Sequence, residues 1–191
     1  MKKLLLIVSL LLPLLFLSSC TSIDVFDDIT ESSIAKKNIT IEYYNIGKTY
    51  EEQKNYEKAI EYFTLARRNP RLKDSCYFET ARCYALNKDW NNAEDIYRRL
   101  LKKDENNLSL KISLAYITAM KGDLTEASRM YKELSDENPY DADLLKNYIS
   151  VLMADGKYEL AEQKYYVLQD RFPDDEDLST LLSKIATGLG K

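Results

Sequence analysis

The side chains with the most chemical potential are three cysteines, Cys20, Cys76 and Cys83, together with 31 acidic and 27 basic residues. No histidine accompanies them. That removes the commonest general base at neutral pH and the commonest metal ligand. An odd cysteine count gives no disulfide framework, and no paired Cys-x-x-Cys zinc spacing is present. Cys76 and Cys83 fall two turns apart on one predicted helix, so their Cα atoms stand about 10.5 Å apart, beyond disulfide reach. They are expected to be buried, inert thiols. Asp104-Glu105 and the acidic run Asp174 to Asp177 fall in predicted turns, where solvated charge is the default. No nucleophile–base pair, glycine-rich phosphate loop or metal cluster emerges. The expectation is a protein that is not an enzyme, with no cofactor and no metal site. A net charge of -4, without a basic block, leaves no footprint for nucleic acid.

Cys20 has a context of its own. Met1-Lys2-Lys3 precedes a near-continuous apolar run from Leu4 to Leu17. As a helix that run spans about 21 Å, short of the roughly 30 Å core of a bilayer, so it reads as a signal peptide. It ends Leu17-Ser18-Ser19-Cys20. This resembles the lipobox of bacterial lipoproteins, with Ser19 in place of the usual Gly or Ala. The resemblance implies that residues 1–19 are cleaved and that Cys20 carries the lipid, palmitate among its acyl chains. Thr21 follows the cysteine where an Asp would signal retention at the inner membrane. The expected location is therefore the cell envelope, lipid-anchored to the outer membrane and facing the periplasm. Residues 20–39 show no persistent helical period and are expected to form a tether of roughly 24 Å.

The elements that position everything else come from an internal period. Ala59, Ala93, Ala127 and Ala161 are each 34 residues apart. Four residues after each stands an aromatic: Phe63, Tyr97, Tyr131 or Tyr165. Three residues before each stands a bulky residue: Tyr56, Trp90, Leu124 or Tyr158. Such offsets lie on one helix face. A small Ala lets a second helix approach, and the aromatic fills the space beside it. Upstream stripes, such as Tyr43, Ile46, Gly47 and Tyr50, mark a partner helix in each unit. Turns at Lys54-Asn55, Lys88-Asp89, Lys121-Gly122-Asp123 and Asp155-Gly156 separate the two. Asn55, Asp89 and Asp123 are expected N-caps, and Asp123 with Glu126 has capping-box spacing. Most of the 15 tyrosines fall on packing positions, among them Tyr77, Tyr84 and Tyr148.

These residues resemble the tetratricopeptide repeat pattern: a large residue, Leu-Gly, Tyr, Ala, an aromatic, Ala and Pro at fixed offsets in 34 residues. The repeats fall at 40–73, 74–107, 108–141 and 142–175, with residues 176–191 as a capping helix on Leu178, Leu181, Leu182 and Ile185, ended by Gly188. Departures are Lys111 for the large first residue, Ile149 for the small one, and Glu105 for Pro. The resemblance implies an all-α, right-handed superhelical solenoid of antiparallel helix pairs. It also implies a peptide- or protein-binding groove lined by the first helix of each repeat. At the groove positions stand Tyr44, Lys48, Phe78, Arg82, Ile112, Tyr116, Met120, Lys146 and Met153. The carboxylate-clamp residues of some relatives are missing.

The expected function is a membrane-anchored protein-interaction scaffold. Lipoproteins of similar architecture assist outer-membrane protein insertion or pilus secretin assembly, and a transport-associated ligand-binding role is a further alternative. A homo-oligomer and occupation of the groove by the chain itself stay open.

Overall fold

The computed structural model describes the backbone of residues 21–191 and the side chains from Ser33 onward. Residues 1–20 lie outside it, and with them the signal-peptide and Cys20 readings. Among the described residues the chain forms nine helices. They are α1 (Thr21–Glu52), α2 (Tyr56–Ala66), α3 (Lys73–Leu86), α4 (Trp90–Leu101), α5 (Leu108–Met120), α6 (Leu124–Glu137), α7 (Ala142–Ala154), α8 (Tyr158–Arg171) and α9 (Leu178–Gly188). Each helix packs chiefly on the one before and the one after it. The result is an all-α solenoid, one unit stacked on the next.

The caps fall where the short polar residues do. The side chains of Asn55, Asp89 and Asp123 accept the backbone N–H of Lys58, Asn92 and Glu126. Asn107 and Asp141 do the same for α5 and α7. The capping box at Asp123 is half formed: Glu126 turns away to pair with Arg129, and the Asp123 N–H donates to Thr118. In each two-helix turn one residue takes a left-handed backbone: Lys54, Lys88, Gly122 and Gly156. They are 34 residues apart, so the turn is the same device with glycine in only two of its four copies.

Three buried clusters run along the stack. The first joins Ala59, Phe63 and Ala66 to Cys76 and Cys83. A second gathers Ala81, Ala93, Tyr97, Leu100 and Leu114 with their neighbours. The third, and largest, reaches from Ala115 through Tyr131, Tyr148 and Tyr165 to Ile185. All four period-marking alanines are fully buried. Gly47 shows why a small residue is needed: an added Cβ would sit 2.7 Å from the Phe63 ring. Ile149, at the equivalent place in the fourth unit, is nonetheless fully buried.

Two expectations change. The segment 21–39, read as a flexible tether, is helical and continuous with the first repeat helix, making α1 32 residues long. Once residues 40–52 are packed the helix is nucleated, and extension upstream is cheap. Neither Gly nor Pro occurs between residues 21 and 39 to stop it. Among the side chains described, burial begins at Thr40, and residues 33–39 are exposed. At the other end, Leu178, Leu181 and Ile185 of α9 are buried, but Leu182 is exposed. Gly188 serves close packing: a Cβ there would meet the Tyr158 ring at 2.0 Å. The left-handed residue that ends the helix is Gly190.

The tyrosines divide by depth. Tyr97, Tyr131, Tyr148 and Tyr165 are buried. Tyr43, Tyr50, Tyr56, Tyr77, Tyr84 and Tyr158 are only half-buried, with the apolar ring body packed and the hydroxyl end near water.

Candidate functional site

The first helix of each unit puts one face on a common surface. The middle of that surface is a trough of about 590 Å³. Its walls come from Phe78, Arg82 and Leu86 on α3 and from Ile112, Tyr116 and Met120 on α5. Trp90 and Tyr97 of α4, Tyr131 of α6 and Asn147 of α7 complete it. Two edge-on aromatic contacts hold the walls: Phe78 on Tyr97 at 5.4 Å and Trp90 on Tyr116 at 6.1 Å. Leu86, Tyr116 and Met120 each leave nearly half their surface in water. Three large apolar side chains exposed side by side form a patch, not scattered singles. Deeper in, burial pushes the phenols of Tyr97 and Tyr131 up to about 12, so both stay neutral donors.

Toward the N-terminal end the surface changes character. Lys48 pairs with Glu51 at 2.6 Å and with Glu79 at 3.2 Å. Arg82 reaches the same two carboxylates at 3.2 and 3.6 Å. The Glu51 side chain is only 4% exposed, and its Oε1 lacks an aligned hydrogen-bond donor. The Tyr44 hydroxyl donates to Glu79 at 3.2 Å, and its ring lies 5.6 Å from Phe63. Burial of Tyr44, then its proximity to Glu79, raises its pKa. Partial burial opposes the charge on Lys48, but the Glu51 and Glu79 hydrogen bonds outweigh it and raise the amine. Four ionic groups neutralise one another here, bridging α1 to α3.

The C-terminal end is closed in a similar way. Lys146 of α7 contacts Asp143 at 3.0 Å, Asp175 at 3.2 Å and Asp177 at 3.0 Å. Hydrogen bonds to Asp143 and Asp177 hold the ammonium well above its usual pKa. Two of those aspartates lie in the turn before α9, so Lys146 ties the capping helix to α7.

Of the nine residues expected on the groove, Phe78, Arg82, Ile112, Tyr116 and Met120 come together in the trough. The other four do not. Tyr44 packs on Phe63 and borders a smaller depression beside it. Lys48 and Lys146 are consumed by ion pairs, and Met153 is half-buried against the C-terminal cluster. The groove expected from Tyr44 to Met153 is therefore shortened to its centre. Sequence reasoning missed Leu86 and Lys88 and gave Trp90 only a packing role. The signal for Leu86 was available: it stands one period before Met120.

Cys76 and Cys83 are fully buried. Loss of hydration pushes their thiols up to about 11 and about 12, which suppresses the nucleophilic thiolate. Among the described residues there is no cluster of three or more potential metal-ligating side chains. No described helix is long and apolar enough to cross a membrane.

Models described as tetratricopeptide repeat match residues 41–68, 75–107 and 119–185. Together they take in about two-thirds of the chain. The chain belongs to the tetratricopeptide repeat family. No curated protein matches it in sequence. Solved structures do match in fold. A tetratricopeptide repeat protein from Parabacteroides merdae superposes with a TM-score of 0.66 at 16% identity, covering 80% of this chain and 61% of that one. MamA from Desulfovibrio magneticus gives 0.62 at 14% identity, covering 80% and 94%. YrrB, described as a tetratricopeptide repeat protein with an unusual peptide-binding site, gives 0.57 at 14%, covering 85% and 92%. At these identities the likeness is one of fold.

Proposed function

We propose that this tetratricopeptide repeat protein is a protein-interaction scaffold that holds a segment of a partner in the trough between α3 and α5. One observation carries the reading. Leu86, Tyr116 and Met120 are large, apolar and nearly half exposed around one trough, although the adjoining ends of the same surface are crossed by ion pairs. An apolar patch with a polar rim is the usual anatomy of a binding surface. The YrrB description, a repeat protein with a peptide site, agrees with this use of the fold. Burial keeps the phenols of Tyr97 and Tyr131 neutral, and Cys76 and Cys83 lie in the interior, away from the trough.

The scaffold is further proposed to be tethered by a lipid on Cys20 in a bacterial envelope. Support comes from Lys2-Lys3, the apolar run and Leu17-Ser18-Ser19-Cys20. Multiple acyl chains make a stable anchor, at about 0.8 kcal/mol per buried CH₂.

Two experiments test these readings. Cross-linking in intact cells is compared between wild type, Tyr116→Glu and Met120→Glu. Loss of the captured partner in both variants, with unchanged helical circular dichroism, is expected; capture equal to wild type would sink the trough model. Metabolic labelling with an alkyne fatty acid is expected to mark wild type but not Cys20→Ser. Equal labelling of the two would refute the anchor.

A further inference from the structure

The trough is unlike the rest of the molecule in charge. Carboxylates outnumber cations over the whole chain, 31 to 27. Of the two depressions that flank the trough, one follows that rule, with Asp74, Glu79 and Asp104 against Lys103, and the other is balanced, with Asp143 and Asp177 against Lys146 and Lys184. The trough itself has no carboxylate in its lining, and its charged members are Arg82 and Lys88. Arg82 is partly offset by Glu51 and Glu79. Lys88 is exposed and has no ion pair among the described residues. It projects from the turn between α3 and α4, beside Trp90 and Leu86.

Resting on the reading of the trough as a binding surface, we propose that its occupant is a short acidic segment of a partner protein carrying at least one large apolar or aromatic side chain. The apolar walls would take that side chain and exclude water, and the lowered local dielectric strengthens any charge pair at the rim. A basic segment would meet Arg82 and Lys88 with like charge and find no compensating carboxylate. Asn147 and Ser113, also in the lining, can both donate and accept hydrogen bonds. That suits a peptide backbone better than the bare chain of a fatty acid.

The test selects displayed random short peptides on the immobilised full chain, with parallel selection on Tyr116→Glu. The expected pool has net negative charge, is enriched in Phe, Trp or Leu, and is lost on Tyr116→Glu. Lys88→Glu is expected to weaken the recovered peptides about tenfold, by turning one attraction into a repulsion. A neutral or basic pool that is still lost on Tyr116→Glu would overturn the acidic assignment and leave the trough reading standing. A pool unaffected by Tyr116→Glu would overturn both. Dodecanoate is titrated alongside; its binding, with no peptide enriched, would overturn the proposal in favour of a lipid-like ligand. Unchanged affinity in Lys88→Glu would remove the role given to that charge.

Discussion

The surface between α3 and α5 and the surface between α7 and α9 draw on equivalent repeat positions of α5 and α7, yet one is an apolar trough and the other a polar depression crossed by ion pairs. Ile112 and Lys146 are one period apart, as are Tyr116 and Ser150. In the middle these places hold apolar groups that find no full cover. Near the C-terminus the equivalent Lys146 draws Asp175 and Asp177 across and docks α9. A solenoid has the freedom to do this because each unit answers mainly to its neighbours. The backbone supplies a row of equivalent seats, and one side chain per seat decides whether it becomes a site or a seam.

The comparison can be broken from the C-terminal side first. Ile185 of α9 is fully buried. Ile185→Ala is expected to cost about 2–5 kcal/mol locally, read as lost hydrogen-exchange protection in α8 and α9. Peptide affinity at the trough should stay within about twofold, because distant units couple weakly. Equal loss at the trough would show that the two regions are not independent.

Tyr116 tests the open side. Tyr116→Ala should weaken the selected peptide by about 2 kcal/mol, the scale of a central aromatic anchor. Thermal stability should change by less than about 0.5 kcal/mol, since the side chain is half in water. A stability loss of the same size as the binding loss would reassign Tyr116 to the core.

The closed side should respond to acid. The Asp177 backbone N–H foremost, with the Lys146 ammonium, holds Asp175 below the usual carboxylate range against the opposing cost of burial. A depressed folded pKa gives stability that is present above the unfolded value of about 3.9 and lost as pH falls through the folded one. Protection of α9 should therefore fade below about pH 4, and Lys146→Met should remove part of that pH dependence, because the Asp177 N–H makes the larger contribution. The expected cost of Lys146→Met at neutral pH is about 1 kcal/mol, kept small by solvent screening.

Smallest is the turn at the trough's edge. Lys88 holds φ of 62°, where the third and fourth repeats place glycine. Lys88→Gly should raise stability by about 1 kcal/mol through relief of that backbone, while weakening the acidic peptide. Opposite signs from one substitution, seen in melting and in anisotropy, would separate the charge from the fold. Lys54→Gly, at the equivalent turn beyond the trough, should stabilise without touching binding.

What the amino-acid order determined by itself was everything that repeats. The 34-residue spacing of Ala59, Ala93, Ala127 and Ala161 gave helix pairing, the turns, most caps and the buried aromatics, because small and large residues at helical offsets leave few other ways to pack. The family resemblance carried by that spacing also implied that Phe78, Ile112 and Tyr116 share one surface. The tertiary structure alone decided which seats stayed open. Lys48 and Lys146 looked like groove contacts because their partners, Glu79 and Asp175, lie 31 and 29 residues away, and local spacing carries no information on such pairs. The helical extension of α1 through residues 21–39 was equally hidden. Its own β-branched and polar composition argues for coil, and only the packed helix downstream supplies a nucleus. Lys88 drew notice as a turn residue, but its standing as the unpaired cation beside an apolar trough depends on what α3, α4 and α5 enclose when they meet.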